Sequence, residues 1–192
     1  RDFFSDFNNR MKKFLKILLI FFSLIFTGYL FLPNPDFPYP PPDSVQSDEP
    51  ADIETPFRRA YFTNYTRNQV MTHYQKQLNI SKFYEVLIPT YRLNYPPEEA
   101  QTLIRDQAKS TFLEEIVHPL RESFFINGCE PEDPRYDVWF KGVDYRQKIT
   151  IRYVSSGLPV RISIAMSTLA VSWLLFTNWK SSLLQLMKQI KK

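Results

Sequence analysis

Two long runs of apolar residues, one near each end of the chain, place the strongest constraint on how this sequence can fold. No charged residue occurs in 17–32 or in 162–179. With the three residues before it, the first run extends over 14–32, about 28 Å as a helix at 1.5 Å per residue. The hydrocarbon core of a bilayer is about 30 Å thick. The sequence therefore predicts membrane-spanning helices at 14–32 and 160–179.

Each run has a less favoured interpretation. The first could be a cleaved signal peptide, whose apolar region is about 7 to 15 residues long and is followed by small residues for cleavage. Here Tyr29–Leu32 leads directly into Pro33, and no such small residues follow. The second run could be a buried core helix of a soluble domain, but uncharged runs of about 18 residues are usually membrane spans. An uncleaved anchor and a second span are therefore favoured.

Basic residues predict the orientation of these spans. Lysines and arginines flank the two runs, at Arg10, Lys12, Lys13 and Lys16 before the first and at Lys180, Lys188, Lys191 and Lys192 after the second. Residues 33–57 contain neither. By the positive-inside rule, 1–13 and 180–192 are predicted to be cytoplasmic and the middle of the chain extracytoplasmic. Met11 with the two lysines after it is typical of a bacterial start, which favours the inner membrane of a bacterium.

The charge and cysteine content argue against nucleic-acid binding and against a disulfide-stabilised fold. The net charge of +4 gives no argument for nucleic-acid binding, because the basic surplus lies at the membrane flanks. The one cysteine, Cys129, allows no disulfide within the chain.

The tail 180–192 spaces its apolar residues at helical intervals between lysines, which predicts either an interfacial helix or a continuation of the second span.

A proline-rich segment follows the first run. Residues 33–56 contain eight prolines, and Pro40–Pro42 are consecutive. Such composition is typical of an extended, semi-rigid spacer of about 3.1 Å per residue, which would reach on the order of 70 Å. The sequence therefore predicts a stalk that lifts a domain, 57–158, away from the membrane.

The first half of that domain reads as a strand, a helix and a second strand region. Residues 57–65 are rich in aromatic residues, as in strands. Thr66 is a predicted N-cap of the helix that follows, and one face of that helix carries Val70, Met71, Tyr74 and Leu78. Residues 82–95 again have strand composition, and Pro89 is predicted to divide them into a hairpin or a bulged edge.

The second half predicts a long helix and then a hairpin. Pro96–Glu99 is a good helix start, since prolines and carboxylates are both favoured in the first turn. An apolar stripe predicts that this helix continues to about Gly128, with a kink at Pro119. The stripe consists of Ala100, Leu103, Ile104, Phe112, Ile116, Leu120 and Phe124. A hairpin is then predicted to turn at 142–144, and its second strand alternates Ile149, Ile151 and Tyr153 with Lys148, Thr150 and Arg152.

These elements predict the fold class α+β: two terminal transmembrane helices flank a small extracytoplasmic domain with an antiparallel sheet and two helices. If 82–95 is a hairpin, the order of elements approximates a ferredoxin-like or split β-α-β arrangement, with the helices packed on one face of the sheet.

Few residues suggest chemistry. His73 and His118 lie far apart with no further ligand at zinc-site spacing, and Cys129 has no identifiable base. The adjacent carboxylate pairs 98–99 and 114–115 would not face each other on a helix and read as solvated faces. The acidic stretch 129–137 lacks the ligand spacing and turn glycine of a calcium loop. No catalytic, cofactor-binding or metal-ligating residue is predicted.

The predicted function is a membrane-anchored, non-enzymatic subunit or scaffold of a membrane or envelope complex. Its partners would be the lipid bilayer and other membrane or envelope proteins, or a second copy of the chain. Two alternatives stay open: an extracytoplasmic ligand sensor, and an envelope hydrolase, which would need an acid or a nucleophile in a cleft. Fold and layout do not decide among these classes.

Overall fold

A computed structural model describes the backbone of residues 2–79, 88, 90–99, 110–131 and 137–190. The chain divides into two compact units. The first, a helix unit, consists of Arg1–Leu32 and Gly157–Lys192. The second, an α+β domain, consists of Pro33–Ser156.

The helix unit contains two long helices, α1 (Asp2–Phe31) and α3 (Leu158–Ile190). Both contain a stretch that is long and apolar enough to cross a membrane, Lys13–Phe31 and Leu158–Trp179. Only 6% of the first stretch and 11% of the second is buried within the structure. A core helix of a soluble protein would be mostly buried, so this exposure disfavours that interpretation.

The α+β domain contains eight described strands and one described α-helix. In chain order they are β1 (Val45–Gln46), β2 (Arg58–Thr63), α2 (Arg67–Asn79), β3 (Tyr91–Tyr95), β4 (Phe112–Val117), β5 (Ser123–Cys129), β6 (Val138–Phe140), β7 (Val143–Tyr145) and β8 (Gln147–Val154). Six strands form an antiparallel sheet in the order β1-β2-β8-β5-β4-β3, and β6 pairs with β7. Single turns of 3-10 helix occur at Pro50–Asp52 and Pro97–Glu99.

The helix α2 covers one face of the sheet and is confirmed as predicted. The hydroxyl of Thr66 accepts a hydrogen bond from the backbone N–H of Gln69 at 3.4 Å, and the Gln69 side chain accepts one from the N–H of Thr66 at 2.8 Å. This reciprocal capping box fixes the start of the helix. The buried core of this face consists of Tyr61, Val70, Met71, Tyr74, Leu78, Phe112, Ile116, Phe124, Ile126, Ile149, Ile151 and Tyr153.

The long helix predicted to end near Gly128 is wrong over its described part. Its second half is the two antiparallel strands β4 and β5, and Pro119 lies in the turn between them. Its start, Pro97–Glu99, is a single 3-10 turn, and 100–109 lies outside the described residues. Residues four apart, such as Phe112 and Ile116, lie on one face of a helix, and they also lie on one face of a strand, whose side chains repeat every two residues. The apolar stripe therefore did not distinguish a helix from a strand.

The ferredoxin-like or split β-α-β arrangement is also wrong. In a split unit, one strand lies between the two parallel strands that the helix connects. Here three strands, β8, β5 and β4, lie between β2 and β3. The antiparallel sheet itself is confirmed, as are strands within 57–65 and 82–95. Pro89 and residues 82–87 lie outside the described part of the chain.

The predicted hairpin exists with different partners. Its two strands are β6 and β7, which are joined by Lys141 and Gly142 with φ of 51° and 81°. Two successive positive φ values define the type I′ turn that suits a two-residue hairpin. The strand β8 instead lies between β2 and β5. The predicted inward-facing residues Ile149 and Ile151 are fully buried in the core, but Thr150, predicted on the polar side of β8, is fully buried as well.

The proline-rich segment is not an extended spacer. It belongs to the same compact unit as the sheet, and β1 within it pairs with β2. Pro38 and Pro41 are buried, and the N–H of Ser47 donates to the carbonyl of Ala60 at 2.9 Å. Proline favours extended backbone, but extended backbone can lie along a domain as readily as it can leave it.

Candidate functional site

Each of the four buried carboxylates in the described part of the domain centres a cluster, and the first is Glu114. Its side chain is 1% exposed on the face of the sheet that α2 covers. Arg67 Nε lies 2.5 Å from Glu114 Oε1, and Arg92, on the neighbouring strand, hydrogen-bonds both carboxylate oxygens. Burial alone would raise the pKa of Glu114, but the hydrogen bonds from the two arginines outweigh it and hold this pKa below its ordinary value.

The second cluster lies on the opposite face, because successive strand residues point to opposite sides. Glu115 is 8% exposed and accepts a hydrogen bond from the Tyr95 hydroxyl at 2.6 Å. This hydrogen bond is the main cause that raises the pKa of Tyr95 to about 12. The prediction that Glu114 and Glu115 form a solvated face is therefore wrong, since both are buried and paired.

The third cluster occupies the turn between β4 and β5. The Nδ1 atom of His118 lies 2.8 Å from Glu122 Oε1, and Arg121 Nη2 lies 3.0 Å from the same oxygen. All three residues are at least nine-tenths buried. The turn brings them together because Leu120 takes a positive φ of 62°, which L-residues other than asparagine and aspartate adopt rarely.

The fourth cluster attaches the proline-rich segment to the sheet. Lys148 Nζ lies 2.7 Å from Asp52 Oδ2 and 2.8 Å from Glu49 Oε2. The Ser47 hydroxyl also donates to Asp52, at 2.6 Å. Burial alone would lower the pKa of Lys148, but the hydrogen bonds to Asp52 and Glu49 outweigh it and raise this pKa above its ordinary value.

His73 contributes to the same attachment from α2. Its Nε2 atom lies 3.1 Å from the carbonyl oxygen of Tyr39 and 2.8 Å from Gln77 Nε2. The Gln77 side chain also accepts a hydrogen bond from the N–H of Tyr39 at 2.8 Å. His73 and His118 lie in different clusters, so the structure does not bring the two histidines together.

Cys129 is the last residue of β5, and Glu130 follows it. The thiol is half-buried and is not part of a disulfide. Glu130 is paired with Arg146, whose Nε lies 2.5 Å from Glu130 Oε1. Residues 132–136, which include two of the carboxylates considered for cation binding, lie outside the described residues.

Three of these clusters pair a buried carboxylate with basic side chains, and in the second a tyrosine hydroxyl donates to Glu115. Among the described residues, no group of three or more histidine, cysteine, aspartate or glutamate side chains could hold a metal ion. Glu114, Glu122 and Asp52 are each held by a basic side chain, as expected for buried ions that stabilise a fold. The geometry of the described residues therefore favours structural roles for the buried charges.

The helix unit contains a buried arginine, Arg161, that no sequence pattern predicted. Its side chain is 2% exposed, and Nη1 donates to the carbonyl oxygens of Leu32 at 2.7 Å and Leu30 at 3.4 Å. The last carbonyls of a helix have no partner within it and carry partial negative charge, so an arginine satisfies them well. The signal in the sequence was an arginine immediately before an uncharged run.

Comparisons with known proteins add no relative: the chain matches no protein-family model, no curated protein and no solved structure. The basis for a functional proposal is therefore the geometry of the two units.

Proposed function

We propose that this chain is a non-enzymatic subunit or scaffold of a membrane or envelope complex. Two spans anchor it, both termini are cytoplasmic, and the α+β domain binds a partner protein on the other side of the membrane. The charge pattern that flanks the apolar stretches supports this orientation.

The exposed apolar surface of α1 and α3 supports the membrane anchoring in this proposal. Leu24 is 68% exposed, Ile17 is 67% exposed, and Leu175 is 64% exposed, all within stretches that contain few charges. Exposing apolar area to water costs about 25 cal/mol per Å². Two adjoining helices of this kind would be unstable in water, whereas in a bilayer the same surface meets lipid chains.

The hairpin of β6 and β7 supports a role in protein binding. The ring of Phe140 stacks on Phe62 of β2 with 4.2 Å between centroids, so the hairpin is anchored to the sheet. On it, Trp139 is 62% exposed and Val143 is 50% exposed. Exposed tryptophan on a supported strand is typical of the residues that dominate binding energy at interfaces.

The experiment is to purify the full chain from its membranes in mild detergent and to measure the mass of the particle. We expect a particle larger than the monomer, which Trp139→Ala reduces to the monomer. Tyr39→Ala is the matched control, because Tyr39 is an exposed aromatic residue on another part of the domain, at 73%. A strictly monomeric wild-type particle would contradict the proposal. Loss of the complex in both variants would show that the hairpin is not the specific binding surface.

The ligand sensor and the envelope hydrolase remain the alternatives. Neither gains a specific observation from the described residues, whose buried carboxylates are paired with basic or hydroxyl groups.

A further inference from the structure

Four exposed apolar residues lie at the same end of the six-stranded sheet. The strands β2, β5 and β3 begin at this end, and β8 and β4 finish there, because neighbouring strands are antiparallel. We call these residues the base patch; they are Phe57 at 47% exposed, Tyr91 at 59%, Leu120 at 49% and Val154 at 39%. At the opposite end, the exposed residues include the polar Asn64, Thr111 and Arg146, beside the hairpin that carries Trp139 and Val143.

The chain also enters and leaves the domain at this end. The side chain of Asn34 donates to the carbonyl of Ser156 at 3.1 Å, which ties the first residues of the domain to the last. Arg121, in the turn that carries Leu120, donates to the carbonyl of Pro33 at 3.0 Å. Both ends of the domain are therefore fixed beside the base patch.

Very little chain separates these ends from the apolar helices. The helix α1 finishes at Phe31, and α3 begins at Leu158. One or two residues span at most about 7 Å even when fully extended. If α1 and α3 cross the membrane, the end of the domain with Pro33 and Ser156 must therefore lie at the lipid headgroups.

We infer that the base patch inserts into the headgroup region of the bilayer and fixes how the domain stands on the membrane surface. This inference rests on the proposed membrane anchoring. Tyrosine and other amphipathic side chains are favoured at the membrane interface, and apolar side chains gain free energy by leaving water there.

The backbone at Leu120 supports an outward-facing role for this side chain. A leucine at a φ of 62° is strained, and strained residues persist only where the surrounding structure holds them. The buried cluster of His118, Arg121 and Glu122 holds this turn. The result is an apolar side chain that is presented to the outside at the tip of a rigid turn.

The test uses the full chain in liposomes of phosphatidylcholine and phosphatidylglycerol, with Cys129→Ser as the background, so that one cysteine can be placed at will. Leu120→Cys is labelled with an environment-sensitive fluorophore, and lipids with a spin label at the headgroup or at a shallow acyl position are added as quenchers. We expect the label to lose the larger part of its fluorescence. At the opposite end of the domain, the same label on Asn68→Cys is expected to keep nearly all of it.

Two further variants separate the possible outcomes. Leu24→Cys, within α1, reports insertion through deep acyl-chain quenchers; no quenching there would overturn the membrane anchoring itself. Quenching at Leu24→Cys with none at Leu120→Cys or Val154→Cys would overturn only the base patch, and Val154→Cys replaces Leu120→Cys if that variant does not fold. If the label on the base patch is shielded from water in native membranes but is not quenched by lipid in the liposomes, the base patch contacts a partner protein. That result also overturns the inference.

Discussion

The ring of Phe112 lies directly over Gly128 of the neighbouring strand, so a Cβ atom at position 128 would come within 1.9 Å of the ring carbon Cε1. Both residues are buried. The contact leaves no room for any side chain larger than hydrogen, and the ring cannot withdraw without disturbing the core under α2.

Gly128→Ala is therefore expected to destabilise the domain by about 3 kcal/mol or more, because overpacking a core typically costs about 1 to 3 kcal/mol and this overlap is severe. Thermal unfolding of the full chain in detergent measures the effect. Gly28→Ala is the control, since no atom lies within 4 Å of a Cβ there. Equal midpoints for Gly128→Ala and the wild type would show that Phe112 moves aside without cost.

Glu114→Gln is expected to cost about 2 kcal/mol, since it removes the charge that compensates Arg67 and Arg92. Glu130→Gln is the control, because its ion pair with Arg146 is more exposed and such pairs contribute at most about 1 kcal/mol. Chemical denaturation at neutral pH compares the two variants. Equal losses would contradict a special role for the buried carboxylate.

The same carboxylate gives the domain an acid-sensitive stability. The pKa of Glu114 is lower in the folded chain than its ordinary value of 4.5, so the folded state binds fewer protons than the unfolded state. Its contribution is fully present above pH 4.5 and is lost as the pH falls through the lowered folded pKa. Glu114→Gln should make the free energy of unfolding depend less on pH in the acid range. The same pH dependence in the variant and the wild type would contradict this role of Glu114.

Tyr95→Phe is expected to cost about 1 kcal/mol through loss of the hydrogen bond to Glu115. The pKa of Tyr95 is raised to about 12, so its contribution is present at and below ordinary tyrosine pKa values and is lost as the pH rises through 12. Absorbance titration near 295 nm should lose the tyrosine step near pH 12 in this variant. Tyr91→Phe, 59% exposed on the same strand, should leave that step intact.

Lys148→Met is expected to loosen the proline-rich segment, because Asp52 and Glu49 lose their common partner. Limited digestion with proteinase K measures this as faster cleavage within 45–56. Lys141→Met is the control, since its ion pair with Asp48 is about two-thirds exposed on both sides. Unchanged cleavage in Lys148→Met would mean that β1 and the contacts of His73 hold the segment by themselves.

Arg161→Leu is expected to destabilise the helix unit by about 2 kcal/mol, because the end carbonyls of α1 lose charged hydrogen bonds. Arg161→Lys should recover part of the loss, since it restores the charge without the forked geometry. Thermal stability in detergent, followed by helical circular dichroism, distinguishes these variants. Equal stability of the leucine variant and the wild type would contradict the capping role.

Local patterns predicted a substantial part of this fold. The apolar runs, the capping box at Thr66 and the alternation around Ile149 each depend on residues that are neighbours in sequence. The same kind of reasoning failed between Phe112 and Phe124, where a four-residue spacing suits both a helix and a strand. It failed again for the carboxylates, because the burial of Glu114 depends on arginines that are distant in sequence.

The sequence by itself determined that two stretches near the ends are apolar enough to cross a membrane, that Arg67–Asn79 forms an amphipathic helix, and that a sheet accompanies it. These follow from composition and periodicity, which are local properties. Only the tertiary structure decided the strand order, the docking of the proline-rich segment on the sheet, the pairing of the buried charges and the gathering of both domain ends beside Leu120. Each of these depends on contacts between distant parts of the chain, whose free energy no local pattern contains.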